Sequence, residues 1–178
     1  MRLIEGNSAI NFEVKDYLGN EVRLSNYSNK KLLLSFFRGA SCPFCSMRVR
    51  ELIVNYPEFE KNGIQIITFF NATKEEIAEY AGRQNAPFPV IPDPESKLYQ
   101  AYGVESSMSG MIKAMIKPLS MMKVMTSGFF NMKSLKDAPI IPADFLINEN
   151  QVIEKAYYGK DFSDHLNIDE ILKWASNN

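Results

Sequence analysis

The order of apolar and polar residues predicts a chain in which strands and helices alternate. Continuous apolar runs of strand length, typical of strands buried on both faces of a sheet, occur in KKLLLSFF (30–37) and IQIITFF (64–70). Each run precedes a segment with apolar residues at helical spacing, 46–63 and 71–85. Two such units in succession favour a right-handed crossover and a parallel pairing at the centre of the sheet.

Local signals indicate where the predicted helices begin, bend and end. Thr73 followed by Glu76 is the pattern of an N-terminal capping box. Pro57 predicts a kink or break within the helix of 46–63, and Gly63 predicts its end.

Weaker patterns complete an α/β fold. Alternation on either side of LGN predicts a β-hairpin within 10–27, and two strands around NEN are expected within 143–159. The proline-rich passage 86–104 is expected to lead into one short helix, and 167–178 forms a closing amphipathic helix. These elements predict a single domain over residues 1–178.

One segment, about 105–139, differs from the rest because it is rich in methionine. A helix there would carry a methionine stripe, kinked at Pro118. The segment could be a helical insertion packed on its own domain, or an adaptable apolar surface for a partner, a lipid interface or a second copy in a homodimer. Its methionines are Met108, Met111, Met115, Met121, Met122, Met125 and Met132.

Composition narrows the range of functions. A chain of 178 residues with 46% hydrophobic residues suits one domain with a sizeable core. The formal net charge of −1 argues against nucleic acid as a partner. No apolar run has the length of a signal peptide or a membrane span, so we expect a cytoplasmic protein without a transmembrane segment.

The chain has two cysteines, Cys42 and Cys45, separated by two residues. A structural zinc site needs four ligands, and His165 is the only histidine, so we expect no metal; no other cofactor is called for. A structural disulfide across so short a loop would stabilise the fold little. A redox pair fits better, because Cys42 follows a buried strand at the start of a helix, where a thiolate is favoured, with Pro43 in the first turn and Cys45 one turn later.

Several charged residues are candidates for tuning this pair. Arg38, Arg48 and Arg50 could stabilise a thiolate, although a solvated helix face is the simpler interpretation for Arg48 and Arg50. Asp144 is either a carboxylate on the surface of a strand or a group that tunes the thiols. His165 is expected to have a surface or capping role.

The sequence FFRGASCPFC (36–45) between a strand and a helix resembles the thioredoxin fold, and in particular the peroxiredoxin-like branch of the AhpC/TSA family. The segments 6–27, 88–104 and 139–153 resemble further passages of that family in the same order. The resemblance implies a thioredoxin-like fold with a central mixed sheet flanked by helices, an N-terminal hairpin and a helical insertion.

The resemblance also implies roles for individual residues. Pro142 falls where thioredoxin-like folds hold a cis-proline, so the Ile141–Pro142 bond is expected to be cis. In the peroxiredoxin motif Pro-x-x-x-Thr/Ser-x-x-Cys, Arg38 stands at the proline, Cys42 at the Thr/Ser and Cys45 at the cysteine. The candidate site therefore has two catalytic residues, Cys42 and Cys45, and four supporting residues, Arg38, Ser41, Pro43 and Pro142.

Three functions remain open from the sequence. The first is a thiol-disulfide oxidoreductase for cell redox homeostasis, in which Cys42 attacks a protein disulfide and Cys45 resolves the intermediate. The second is a thiol-dependent antioxidant peroxidase for hydrogen peroxide or alkyl hydroperoxides, with Cys45 or Cys42 oxidised first. The third is a redox-sensing module whose disulfide controls the methionine-rich segment. The replacement of Thr/Ser by Cys42 favours disulfide exchange, with an unidentified thiol as the reductant.

Overall fold

A computed structural model of the protein describes residues 1–107, 122, 124–129, 133–134 and 137–176. These residues contain a two-stranded hairpin, a five-stranded sheet and the five α-helices named below.

The N-terminal hairpin is confirmed. Strands β1 (Glu13–Lys15) and β2 (Glu21–Arg23) pair antiparallel. In the turn between them, the Asp16 carboxylate accepts two backbone N–H groups at 3.0 and 2.8 Å. Gly19 supplies the positive φ of 95° that the turn requires.

Five further strands form the main sheet. They are β3 (Lys31–Phe37), β4 (Ile64–Phe70), β5 (Val90–Pro92), β6 (Ala143–Ile147) and β7 (Ile153–Tyr158). Their order is β5-β4-β3-β6-β7, so β3 is central, as its uninterrupted apolar run predicts. Strands β3, β4 and β5 are parallel, whereas β6 and β7 pair antiparallel, which confirms the mixed sheet.

The sequence pattern does not predict β5. This strand has three residues, lies at the edge of the sheet and ends in Pro92. An edge position tolerates proline because one side of the strand needs no N–H donor. Within the proline-rich passage, the Pro89 carbonyl also accepts the backbone N–H and the hydroxyl of Thr68, both at 3.0 Å.

Helices flank the sheet. They are α1 (Pro43–Val54), α2 (Tyr56–Lys61), α3 (Lys74–Glu79), α4 (Lys97–Ala101) and α5 (Ile168–Ser176). The predicted break separates α1 from α2 at Asn55, and Pro57 lies in the first turn of α2, where its missing N–H costs nothing. Thr73 and Glu76 form the predicted capping box.

Side chains of β3 alternate between two hydrophobic cores, one on each face of the sheet. Leu33 and Phe37 belong to the core that contains both cysteines, together with side chains of α1 and α5. Phe36 belongs to the opposite core, which is rich in aromatic rings. By the same alternation, Ser35 lies on the face that carries the cysteines.

The two ends of the predicted insertion lie side by side. Ser106 forms an antiparallel bridge with Ile140, and the N–H of Ser107 donates to the Pro139 carbonyl at 2.7 Å. The segment 105–139 therefore leaves and rejoins the fold at one place.

Two methionines of the predicted stripe, Met122 and Met125, lie within the described residues. Val124 is buried in the core of the cysteines, whereas Met122 and Met125 are 58% and 72% exposed. No helix among the described residues is long and apolar enough to cross a membrane. The stripe and its role in self-association stay predictions, because the other five methionines of the segment lie outside the described residues: Met108, Met111, Met115, Met121 and Met132.

Candidate active site

The two cysteines lie where the chain passes from β3 into α1, and Cys45 is in the first turn of that helix. Cys42 is the N-cap residue of α1, and its carbonyl accepts the N–H of Ser46 at 3.0 Å. Pro43 occupies the first turn, as predicted. The backbone thus places Cys42 at the positive end of the α1 dipole, with Cys45 one turn further along.

Both cysteines are free thiols inside the protein, with exposed fractions of 0% for Cys42 and 1% for Cys45. A hydrogen bond from the Cys45 thiol, the positive charge of Arg38 and the Cys45 N–H together outweigh burial and lower the pKa of Cys42 to about 7. Burial, followed by the hydrogen bond with Cys42 and its charge, raises the pKa of Cys45 well above the usual thiol value. The surroundings thus favour the thiolate form of Cys42 and the protonated form of Cys45.

Arg38 is a buried cation held by backbone carbonyls. Its Nε donates to Ala138 O at 2.8 Å, and its Nη2 donates to Ser134 O and Asp137 O, each at 2.8 Å. The guanidinium carbon lies 4.3 Å from the centre of the Phe162 ring. These contacts hold a positive charge that lowers the pKa of Cys42, and the supporting role of Arg38 stays a prediction.

Ser41 connects the cysteine loop to the same stretch of chain. Its hydroxyl donates to Asp137 Oδ2 at 2.8 Å, and burial raises the pKa of that carboxyl. A side chain at Gly39 would have its Cβ only 2.2 Å from the same oxygen. Glycine at position 39 is therefore what allows Asp137 to reach Ser41.

The expected cis bond before Pro142 is wrong: the peptide bonds of the described residues are all trans. The Pro142 carbonyl accepts the Gly159 N–H at 2.9 Å, and the Ile141 N–H donates to Glu105 O at 3.1 Å. Backbone hydrogen bonds thus hold the chain on both sides of this bond, which has the more stable trans form. A supporting role for Pro142 beside the cysteines stays a prediction.

Asp144 and His165 form a buried pair that sequence reasoning missed. Asp144 is fully buried in β6 and accepts the Ser35 hydroxyl at 2.6 Å, the Leu166 N–H at 2.8 Å and His165 Nδ1 at 3.1 Å. Burial alone would raise the pKa of Asp144, but the charge and hydrogen bond of His165, with Arg48 and Ser35, lower it to about 2. The expected surface role of His165 is wrong, because the loop before α5 folds this side chain inward, where it is 5% exposed.

Arg48 is also buried, which corrects its interpretation as part of a solvated helix face. Its side chain is 6% exposed and donates to the Leu166 carbonyl at 2.7 Å and to Glu51 at 2.6 Å. The loop before α5 covers this side of α1 and excludes water from the guanidinium. Arg50 is exposed, as expected.

We expect Asp144→Asn to remove a pH-dependent part of the stability. A carboxyl with a folded-state pKa of about 2, against an ordinary 3.8, stabilises the fold above the unfolded pKa and loses that contribution as the pH falls towards 2. The difference corresponds to about 2 kcal/mol. Urea unfolding at pH 4 and pH 2 measures the free energy of unfolding of both proteins. Between these pH values, it should fall by about 2 kcal/mol more in the wild type than in Asp144→Asn. An equal fall in both proteins would contradict the prediction.

Similarity to known proteins agrees with this architecture. The chain is 30% identical over 100 residues to the thiol-disulfide oxidoreductase ResA of Geobacillus thermodenitrificans, a match over 56% of this chain and 57% of that protein. It is 23% identical over 111 residues to the chloroplastic peroxiredoxin Q of Sedum lineare, a match over 62% of this chain and 60% of that protein. The chain therefore spans less than two thirds of the length of these curated relatives.

A solved structure has a similar fold. The crystal structure of the peroxidoxin BcpB from Mycobacterium tuberculosis matches with a TM-score of 0.73 at 17% identity, over 99% of this chain and 98% of that one. The model of the AhpC/TSA family matches residues 6–156. The chain thus belongs to the AhpC/TSA family and has a thioredoxin-like fold.

Proposed function

We propose that the protein is a thiol-disulfide oxidoreductase that cycles between a Cys42/Cys45 dithiol and its disulfide. The observation that carries this proposal is the opposite shift of the two thiol pKa values, to about 7 for Cys42 and upwards for Cys45. At neutral pH one sulfur of the pair is a nucleophile, while the other keeps its proton.

In the proposed reaction, the Cys42 thiolate attacks one sulfur of a substrate disulfide. The substrate S–S bond breaks, a mixed disulfide forms, and the leaving thiolate takes a proton from solvent. Cys45 then loses its proton and attacks the Cys42 sulfur, which releases the second substrate thiol and leaves a Cys42–Cys45 disulfide. An external dithiol returns both electrons to the pair.

The order of these steps follows from the charge of Cys42. A negative Cys42 raises the pKa of Cys45 and so keeps the second cysteine protonated before attack. In the mixed disulfide Cys42 has no charge, and this contribution disappears. Cys45 therefore becomes easier to deprotonate once its attack is required.

Arg38 supports a thiolate at Cys42, which either substrate class requires. Its Nε and Nη2 donate to the carbonyls of Ala138, Ser134 and Asp137. Its charge and a hydrogen bond from its side chain both lower the pKa of Cys42.

A thiol-dependent peroxidase is the second candidate, favoured by the complete burial of Cys42. A peroxide is small enough to reach a sulfur that a protein disulfide reaches only after neighbouring segments move. Attack of the thiolate would break the O–O bond, form a sulfenic acid and release water or an alcohol after protonation. Condensation with the Cys45 thiol would then release water and form the same disulfide.

Rate constants for the two substrate classes distinguish the candidates. Reduced protein should react with a small disulfide about threefold faster than free cysteine does, since more of Cys42 is thiolate at pH 7, although a thiolate of lower pKa is a weaker nucleophile. Its reaction with hydrogen peroxide should be no faster than that of free cysteine. Quenched samples analysed by mass spectrometry give both rates, and the Cys42→Ser/Cys45→Ser protein is the blank. The reverse order of rates would establish the peroxidase, and two slow rates would exclude both functions.

A further inference from the structure

A groove lies between α1 and the short 3₁₀ turn Ala81–Gln84 that follows α3. It has a volume of about 670 Å³. Its α1 wall consists of Ser46, Arg50, Ile53 and Val54, and the opposite wall includes Glu79 and Arg83. Ser41, the residue before Cys42, also lines the groove, and Ser46 directly follows Cys45. The groove therefore begins beside the redox motif.

Hydrogen bonds hold the end of the groove that lies near the motif. Gln84 Nε2 donates to the Ser46 carbonyl at 3.0 Å and so joins the two walls. The Ser41 hydroxyl donates to the Asp137 carboxylate, which also interacts favourably with the positive charge of Arg38. The two walls are thus held in position relative to one another.

Two arginines line the groove without an acidic partner in the described part of the chain. The side chains of Arg50 and Arg83 are exposed and make no ion pair or hydrogen bond there. Glu79 is the acidic residue of the lining, and it already pairs with Lys133 at 3.7 Å. Because a guanidinium keeps its proton near neutral pH, both arginine charges are permanent. The groove therefore suits a ligand that carries carboxylates.

The α1 wall changes from polar to apolar along its length. Ser46, Arg50 and Val54 are spaced four residues apart and so lie along one side of the helix. Val54 is a large apolar side chain that the fold leaves 67% exposed, and Ile53 beside it is half-buried. From Ser46 to Val54 the helix rises by about 12 Å, the length of about four residues of extended peptide. The wall thus fits a short extended segment.

Charge and shape together favour a polypeptide as the ligand. A small anion such as phosphate would engage the arginines but would leave the apolar end uncovered. An extended peptide with carboxylates and one apolar side chain would cover both, because its side chains occur at intervals along the groove. A positive surface also steers negatively charged partners and speeds their association.

We propose that this groove docks an extended acidic segment of a polypeptide disulfide substrate, with carboxylates at Arg50 and Arg83 and an apolar side chain at Val54. The assignment of the segment to a substrate rests on the proposed disulfide exchange. Arg50 lies about 12 Å along the helix from Cys42, so carboxylates about two to four residues from the substrate cysteine would reach it. Because Cys42 is buried, docking beside it would keep the disulfide close until neighbouring segments expose the sulfur.

Docking can be tested without the redox reaction, on the Cys42→Ser/Cys45→Ser protein. Two fluorescent peptides of equal length contain a leucine and have serine in place of the substrate cysteine; one carries glutamates where the other carries glutamines. Fluorescence anisotropy should show saturable binding of the acidic peptide alone, weakened by added salt. Equal binding of the glutamine peptide would overturn the site. Displacement of the acidic peptide by an equal concentration of inorganic phosphate would also overturn it, since the groove would then bind any anion.

Arginine variants test where the peptide binds. Arg50→Gln and Arg83→Gln should each weaken binding of the acidic peptide about two- to fivefold, the effect expected for an exposed ion pair, and the double variant about tenfold. Arg23→Gln removes the same charge from an exposed arginine of β2 and should leave the affinity unchanged. Equal losses in Arg23→Gln and Arg50→Gln would overturn the location. Arg50→Glu/Arg83→Glu should prefer a lysine peptide, a gain that a misfolded protein could not show.

The substrate role is tested on protein that keeps both cysteines, with disulfide-linked dimers of the corresponding cysteine peptides. We expect the rate ratio of the glutamate peptide to the glutamine peptide to fall about tenfold in Arg50→Gln/Arg83→Gln. The rate with the glutamine peptide should stay unchanged, because the charge that lowers the pKa of Cys42 comes from Arg38. A constant ratio would overturn the substrate role. Slow reaction of the wild type with both disulfides, while the acidic serine peptide still binds, would instead overturn the proposed function and leave the docking site standing.

Discussion

Cys42→Ser is expected to lower the rate of disulfide exchange by at least about a thousandfold, because serine supplies no thiolate at neutral pH. Cys45→Ser should behave differently. Cys42 still attacks the substrate, but no second thiol releases the product, so a covalent mixed disulfide accumulates. Non-reducing mass spectrometry of each variant after incubation with an excess of a small disulfide measures both outcomes.

The two variants are controls for one another, since each removes one buried sulfur from the same helix turn. Cys45→Ser replaces the thiol that donates to Cys42 by a hydroxyl that can also donate, so the first attack of Cys42 should be kept. A mixed disulfide that accumulates on the Cys42→Ser protein instead would make Cys45 the nucleophile. That result would agree with the peroxiredoxin motif, in which the reactive cysteine aligns with Cys45.

Arg38→Met is expected to have the second largest effect, on both reactivity and stability. Loss of the guanidinium leaves the carbonyls of Ser134, Asp137 and Ala138 without this donor, at a cost of about 3 kcal/mol or more in total. It also removes a positive charge beside Cys42, so the pKa of that thiol should rise from about 7 towards its ordinary value. The thiolate fraction at pH 7 should then fall about fivefold or more.

Urea unfolding and the pH dependence of iodoacetamide labelling measure these two effects separately. Arg38→Lys is the matched variant, because it keeps the charge but cannot reproduce the fork of donors. Compared with Arg38→Met, we expect Arg38→Lys to regain much of the iodoacetamide labelling at pH 7 but little of the free energy of unfolding. An unchanged labelling midpoint in Arg38→Met would reduce Arg38 to a structural role.

The central part of the fold could be predicted because its signals are local. Strands β3 and β4 are predominantly apolar runs of strand length. The capping box of Thr73 and Glu76 marks the start of α3. The edge strand β5 was missed because it has three residues and ends in proline, so its existence depends on pairing with β4.

The polar part of the site could not be placed because it depends on long-range contacts. Asp144 is the one polar residue of β6, Ser35 lies within the apolar stretch of β3, and the antiparallel register of the two strands sets them opposite one another. A polar residue inside an apolar strand is a signal that the sequence does contain. It does not reveal that His165, 21 residues further along the chain, contacts the Asp144 carboxylate. The burial of Arg48 depends on the same loop.

The position of Cys42 at the N-cap of α1 also bears on the direction of electron flow. Its negative charge interacts favourably with the helix terminus and Arg38 only in the reduced protein, since a disulfide carries no charge. Interactions that stabilise the reduced state of a dithiol shift its reduction potential towards the oxidising end of the scale. The stabilised charge of Cys42 would therefore make the Cys42–Cys45 disulfide a stronger oxidant of a donor thiol than a disulfide between cysteines with ordinary pKa values.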